Sequence, residues 1–392
     1  MGGDENSGGR FSRPRSSRSL RPWKDVVDDV YMRRALELAE RGRGLVSPNP
    51  LVGALVVKDE EVLGEGWHQG PGRPHAEVVA LDAAGDRARG ADLYVNLEPC
   101  SHYGRTPPCA PRIAASGVAR VLAALEDPNP LVNGEGFAQL RQSGIEILVG
   151  VLAEEASRQN EAFLKHVRTR LPFVTLKMAA SLDGKAAARD GSSRWITGEE
   201  ARAEVHRMRA GVDAILVGAG TAFRDDPSLT VRDPGYGGPP KLRVIVDGRG
   251  IVPETHRVFS DGLAPSMVAT SEGAPTDRRD AWRKAGAEVL VLDDAGSALI
   301  PLEDLLAELG KRDVQHVLIE GGPTIAWESV QRGLVDKVVL FFAPVLVGGE
   351  TAPSVLMGDG MPTIGDAAPV ELTEVNRIGR DIKVVAYVHR DR

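Results

Sequence analysis

Cys100 and Cys109 are the only cysteines in this 392-residue chain. Both lie in one stretch, Glu98-Pro99-Cys100-Ser101-His102-Tyr103-Gly104-Arg105-Thr106-Pro107-Pro108-Cys109, downstream of His75-Ala76-Glu77-Val78. One imidazole and two thiolates make three ligands for Zn²⁺ and leave a fourth tetrahedral position open for water, as in catalytic rather than structural zinc sites. Zinc lowers the pKa of bound water toward ~7, so hydroxide is available at neutral pH. Glu77, two residues after His75, is spaced to move protons without being a ligand. The same residues have other uses. The cysteines could form a disulfide, although Pro107 and Pro108 stiffen the loop between them and no secretory leader points to an oxidising compartment. They could be buried free thiols, or His102 could close a structural zinc site.

The chain must be long enough to place these groups, and it is. Its length suggests two or three domains, and 42% apolar with 26% charged residues is ordinary globular composition. A formal net charge of −7 argues against a general nucleic-acid binder. Arg10, Arg13, Arg15, Arg18, Arg21 and Lys24 make the start basic, but residues 1–24 are rich in Gly and Ser and lack an apolar pattern. They are expected to be a disordered leader. No apolar run approaches the ~18 residues that span a bilayer, so a cytoplasmic protein without a membrane partner is expected.

Apolar periodicity predicts a helix over 25–41 and strands over 51–57 and 62–67. His75 opens a helix through 84, a strand covers 93–97, and Cys109 begins another helix. Strands over 118–124 and 145–149 and a helix over 154–167 complete an α/β unit with helices on both faces of its sheet. Composition changes at Arg168-Thr169-Arg170-Leu171-Pro172 without a Gly/Ser linker. Two packed domains follow, 25–170 and 171–392. In the second, strands are expected over 173–178, 214–217, 244–247, 289–292, 314–319, 338–343 and 382–388, with helices over 199–209 and from 323 through 330. The turn Glu320-Gly321-Gly322-Pro323-Thr324 between strand and helix could let backbone N–H groups approach a diphosphate, or be an ordinary left-handed turn.

The H-x-E…P-C…C pattern resembles the zinc-dependent nucleobase deaminases, and the order of elements resembles the cytidine deaminase-like three-layer fold. Asn49, in Pro-Asn-Pro, and the eight-residue spacing between the cysteines are similar to the pyrimidine deaminase of riboflavin biosynthesis, over about residues 26–170. Ser181-Leu182-Asp183-Gly184-Lys185, Ser193-Arg194-Trp195-Ile196-Thr197, Asp225-Asp226-Pro227-Ser228-Leu229-Thr230-Val231-Arg232 and Ile319-Glu320-Gly321-Gly322-Pro323 resemble the reductase of the same pathway, whose α/β fold is similar to dihydrofolate reductase.

The resemblance implies a bifunctional enzyme. Its substrate would be a phosphorylated ribosylaminopyrimidine, 2,5-diamino-6-(ribosylamino)-4(3H)-pyrimidinone 5'-phosphate, deaminated and then reduced by NADPH from ribosyl to ribityl. It implies His75, Cys100 and Cys109 as zinc ligands and Glu77 as proton carrier. Asn49 and His68 would meet the base or ribose, and His102 and Arg105 the phosphate. For the reductase it implies NADPH contacts at Ala179, Trp195, Thr221, Asp225, Gly322, Pro323 and Thr324. Substrate contacts would be Ser193, Arg209, Leu229, Arg232 and Glu320. Lys177, Asp225 and Glu320 are candidate proton donors, and the sequence does not choose among them. A homo-oligomer is expected. Two rival readings are a tRNA-editing deaminase with an appended domain, and a second half that binds without catalysing.

Overall fold

The computed structural model describes residues 23–388, apart from 131 and 294–298. The expectation for residues 1–24 therefore falls outside the described residues up to 22, and Trp23 and Lys24 already belong to the first helix. The first part of the chain runs α1 (Trp23–Glu40), β1 (Gly53–Lys58), β2 (Glu61–Trp67), α2 (Ala76–Ala84), β3 (Asp92–Val95), α3 (Cys109–Ser116), β4 (Arg120–Ala123), α4 (Glu135–Gln142), β5 (Glu146–Val149), α5 (Ala153–Gln159) and α6 (Glu161–Thr169). The sheet order is β2-β1-β3-β4-β5. β1 pairs antiparallel with β2 and β3, whereas β3, β4 and β5 are parallel.

Both faces of this sheet are covered. Met32, Ala35 and Leu38 of α1 pack with Leu55, Tyr94 and Leu122 on one face. Ala80, Leu81, Ile113, Phe137 and Leu140 of α2, α3 and α4 pack with Ala54, Leu93 and Val121 on the other. Alternate residues of each strand supply the two faces, as the two-residue strand period requires. Two glycines on one face of β2 set the position of α2. A Cβ at Gly64 would lie 2.2 Å from the Ala80 carbonyl oxygen, and one at Gly66 would lie 2.2 Å from that of Ala76. The helix that starts next to His75 thus rests directly on bare backbone.

The helix expected over 154–167 is instead two helices broken at Asn160. The Asn160 side chain is turned to the backbone of Leu51, accepting from its N–H at 2.8 Å and donating to its carbonyl at 3.0 Å. Asn and Asp compete with helical hydrogen bonding in this way, and here the competition clamps the loop that carries Asn49.

The second sheet contains, among the described residues, β6 (Phe173–Ser181), β7 (Ala214–Gly218), β8 (Leu242–Val246), β9 (Ser266–Thr270), β10 (Glu288–Val291), β11 (His316–Glu320), β12 (Lys337–Ala343), β13 (Val370–Ile378) and β14 (Asp381–Val388), in the order β10-β9-β8-β7-β11-β6-β12-β14-β13. Strands β10 through β12 are parallel, and β14 and β13 add an antiparallel ribbon. The helices of this part are α7 (Glu199–Ala210), α8 (Ala219–Asp225), α9 (Arg257–Ser260), α10 (Thr276–Lys284), α11 (Leu302–Lys311) and α12 (Pro323–Gln331). Sequence periodicity did not predict β9, β13, α4, α8, α9, α10 or α11. Asp247, after β8, spends both carboxylate oxygens on the N–H groups of Arg249, Gly250 and Val252, so it closes its own turn.

Gly66→Ala is expected to force α2 off β2 and to destabilise the protein by about 1–3 kcal/mol. Urea denaturation and zinc content of the purified variant check this. Unchanged values for both would show that α2 is not held by that contact.

Candidate active sites

His75 is the residue before α2, with extended backbone (φ −73°, ψ 160°). Cys100 follows β3, and Cys109 is the first residue of α3. Three separate elements thus deliver three donors. His75 Nδ1 is 3.1 Å from Cys109 Sγ and 3.5 Å from Cys100 Sγ, and all three donor atoms lie within 4.8 Å of one another. The cysteines are free thiols, so the disulfide alternative does not hold. His102 is not part of the cluster, which leaves three protein donors among the described residues.

The site's electrostatics fit a divalent cation. Hydrogen bonding from Cys109, and then from His75, holds the Cys100 thiol well below its ordinary pKa. The adjacent Cys100 sulfur and burial push the Cys109 thiol up. Two thiolates side by side repel each other, and a cation between them removes that conflict. The backbone N–H of Cys109 points at Cys100 Sγ at 3.3 Å, which favours the thiolate further. On the far side of the imidazole, Thr106 Oγ1 is 3.0 Å from His75 Nε2. With Nδ1 facing the sulfurs, Nε2–H donates to this hydroxyl and fixes both tautomer and ring plane.

Glu77 is 3% exposed, and its Oε2 has no hydrogen-bond partner. A buried, unsatisfied carboxylate oxygen is costly, so it marks a place where a ligand or water belongs. Burial raises the carboxyl above its ordinary pKa, which suits a group that must both take and return a proton. Glu98, two residues before Cys100 and unassigned from sequence, has a structural role. It accepts from the N–H groups of Asp127, Gly134 and Phe137 and so ties the Cys100 segment to the loop before α4.

The cluster opens into a cavity of about 340 Å³. Asn49, His68, His102 and Arg105 all line it. Asn49 Nδ2 donates to His68 Nε2 at 2.8 Å, and His68 Nδ1 donates to the Pro74 carbonyl at 3.3 Å. This is one neutral tautomer, consistent with burial lowering the His68 pKa. It leaves the Asn49 oxygen for a substrate donor. His102 Nδ1 is buried without a partner. Asp127 and Asn129 also line the cavity and were missed. Burial raises the Asp127 carboxyl to about 6. A signal existed: Pro128-Asn129-Pro130 repeats the Pro48-Asn49-Pro50 motif, and both turns face the same space.

The residues that the resemblance implies for a reductase lie around the C-terminal ends of parallel strands, where open α/β sheets hold ligands. Lys177 on β6 is paired in register with Glu320, the last residue of β11. Glu320 takes both Nε and Nη2 of Arg209, at 2.5 and 2.9 Å, while Arg209 Nη1 donates to the Thr230 carbonyl. Much of the Arg209 fork is therefore committed to protein. Arg232 is exposed, and its backbone N–H donates to His206 Nδ1. Arg209 and Arg232 both lower the His206 pKa, second to burial, which places the three cations together. Burial pulls the Lys177 ammonium below its ordinary pKa against the opposing Glu320 charge.

Thr221 on α8 meets the glycine turn before α12. The Gly322 N–H donates to Thr221 Oγ1 at 2.9 Å, and a Cβ at Gly322 would stand 3.0 Å from that oxygen. Gly321 has φ +77°, a conformation that favours glycine. Pro323 opens α12, followed by Thr324. This bare turn at a helix start is the kind of cradle a diphosphate takes. Ala179 is half-buried on β6, paired with Phe341. Trp195 is 69% exposed, with the Arg202 guanidinium 4.7 Å above its ring. Ser193 lies in the same turn, and the Asp225 carbonyl accepts from Arg194 of that turn. Leu229 is only 3% exposed and packs in the core with Val212, Ile215 and Ala222. Its side chain is spent on the core, so only its backbone is available to a ligand.

The chain matches two family models: the cytidine and deoxycytidylate deaminase zinc-binding region over residues 26–125, and the RibD C-terminal domain over residues 172–384. It is 45% identical to the riboflavin biosynthesis protein RibD of Bacillus amyloliquefaciens over 360 residues, 92% of this chain and 96% of that one. With RibD of Escherichia coli it shares 40% identity, covering 91% of this chain and 98% of that one. Acinetobacter baumannii RibD superposes with a TM-score of 0.84 at 38% identity, over 93% of this chain and all of that one. The diaminohydroxyphosphoribosylaminopyrimidine deaminase/5-amino-6-(5-phosphoribosylamino)uracil reductase of Thermotoga maritima superposes with a TM-score of 0.81 at 35% identity and the same coverage.

Thr106→Val removes the acceptor on His75 Nε2 while keeping the side chain's shape. It is expected to weaken zinc affinity about tenfold, measured by competition with a chelator. Unchanged affinity would show that the hydroxyl does not orient the imidazole.

Proposed function

The chain belongs to the RibD family of riboflavin biosynthesis proteins, and on that footing we propose which of its residues carry the two reactions. The protein is a bifunctional deaminase and reductase acting on a phosphorylated pyrimidine. It uses zinc in the first half and NADPH in the second. We assign the halves to residues 25–170 and 171–392.

The observation that carries the deaminase assignment is the meeting of His75 Nδ1 and two sulfurs beside an unpartnered, buried Glu77 oxygen. His75, Cys100 and Cys109 would hold the zinc, which would supply Lewis acidity for the activation of water. Glu77 Oε2 takes a proton from the attacking water and delivers one to the departing amine, so that water enters and ammonia leaves. Asn49, oriented by His68, accepts from the pyrimidine. His102 and Arg105 face the ribose phosphate, and a guanidinium suits that group by charge and fork geometry. The raised carboxyl of Asp127 can donate to the ring at mildly acid pH.

NADPH, when bound, supplies a hydride to the sugar carbon. We place it along Ala179, Trp195 and the Thr221–Thr324 cradle, with Asp225 at the edge. The ribosylaminopyrimidine lies toward Ser193, Arg232 and the Leu229 backbone. Of the three candidate proton donors, Lys177 is the best suited, because its lowered pKa eases proton release. Glu320 is held ionised by Arg209, so it anchors that guanidinium instead. Asp225 ends α8.

Homo-oligomerisation is supported by β13, a sheet-edge strand exposing Val370, Leu372 and Val375 at 48–62%. Unpaired apolar edges of this kind seek a partner. The net charge of −7 opposes a nucleic-acid partner. No helix among the described residues is long and apolar enough to cross a membrane. We assign the protein to the cytoplasm.

Glu77→Gln is expected to retain zinc and lose deamination by about 10²–10⁴-fold, with the reductase unaffected; persisting deamination would remove Glu77 from the chemistry. Lys177→Met is expected to lower reductase kcat by about 10²-fold while ammonia release is unchanged. A reductase kcat within twofold of the parent would exclude Lys177 as the donor. Arg232→Ala is expected to raise reductase KM and leave deamination intact, and an unchanged KM would remove Arg232 from the substrate site.

A further inference from the structure

The wall of the deaminase cavity is not built by the deaminase half alone. Asp313 and Gln315, which precede β11 in the reductase half, line the same cavity as Asn49, His75 and Glu77. Gln315 is 6% exposed, and its Nε2 donates to the Pro48 carbonyl at 2.6 Å. Pro48 is the residue before Asn49.

Gln315 is rigidly held. Its backbone N–H and that of His316 donate to one oxygen of Asp213, at 2.8 and 3.0 Å. Its carbonyl accepts from the Phe173 N–H at 2.7 Å. On the other side of the loop, Asn160 and Asn96 clamp Leu51, with Asn96 Nδ2 donating to the Leu51 carbonyl at 2.8 Å. Asn49 sits between the two clamps. The deaminase half supplies the one at Leu51, and the reductase half supplies the one at Pro48.

We infer that Gln315 of the reductase half is a positioning residue for the deaminase: it fixes the Pro48 carbonyl and thereby sets the aim of Asn49 into the cavity. The inference rests on the assignment of Asn49 as a substrate contact. Loss of the Gln315 donor leaves a carbonyl unpaired and frees the loop, which weakens substrate binding without touching the zinc or Glu77. The deaminase site is thus complete only with the reductase domain in place.

The test uses the zinc-loaded, full-length enzyme with four variants: Gln315→Met, Gln315→Lys, Asn49→Ala and the double variant Asn49→Ala/Gln315→Met. Met keeps the length of Gln without a donor, and Lys keeps an N–H. Gln315→Met is expected to raise deaminase KM about fivefold, with deaminase kcat, zinc content and reductase kcat/KM each within about twofold of the parent. Gln315→Lys is expected to bring KM back toward the parent value. In the Asn49→Ala background, Gln315→Met is expected to add little, because the two act through one contact. An unchanged KM in Gln315→Met, when Asn49→Ala raises it, overturns the role of Gln315 alone. An unchanged KM in Asn49→Ala overturns the assignment of Asn49 itself, and the inference with it. A full fivefold effect of Gln315→Met on top of Asn49→Ala, or a parallel fall in reductase activity, shows a general structural role and also overturns the inference.

Discussion

Two cysteine thiolates held side by side repel each other unless a cation lies between them, and the first half of the fold is arranged around that constraint. His75 precedes one helix, Cys100 lies in the loop after β3, and Cys109 is the first residue of another helix. Their convergence depends on α2 lying flat on the glycines of β2 and on Glu98 tying the strand end to the next loop. A carboxylate buried without a partner is unfavourable in itself. It persists at Glu77 because the neighbouring packing of α2 fixes its backbone, a pattern typical of functional sites.

The parts of this arrangement that the sequence made legible are those carried by residue type. The donor set, the Glu77 spacing and the helix starts at His75 and Cys109 depend on local chemistry and short-range periodicity. What stayed hidden depends on partners far along the chain. The break at Asn160 is caused by the backbone of Leu51, and no pattern within 154–167 encodes it. Thr106 stands inside a motif read for its cysteines, and its bond to His75 exists only once the loop folds back. Strand β13 is exposed at seven of its nine positions and shows no buried face to read, because its pairing with β14 rather than burial makes it a strand. The Arg209–Glu320 pair was visible as two useful charges, but not as each other's partner.

The two halves share more than a peptide bond. Lys165 of α6 meets Asp336 at 2.6 Å, with both side chains 9% exposed, and the same Asp336 oxygen accepts from the N–H of Val174, the second residue of β6. Glu161 takes Lys337 and the Tyr387 hydroxyl, and Lys241 donates to the Gly44 carbonyl. Buried charges left without partners cost several kcal/mol, so separating the halves would expose a set of groups that now satisfy one another. Strand β11 makes the connection direct: Gln315, just before it, lines the cavity beside the cysteines, and Glu320, its last residue, pairs with Arg209.

The central claim is that this cluster holds a zinc with two sulfur ligands, one imidazole nitrogen and one position left to solvent. Zinc-edge X-ray absorption on the purified protein tests it most directly. The account predicts one zinc per chain, two sulfur scatterers at about 2.3 Å and two nitrogen or oxygen scatterers at about 2.0–2.1 Å, one of them exchangeable. A protein that purifies without bound metal, or a zinc surrounded by four protein ligands, would contradict it.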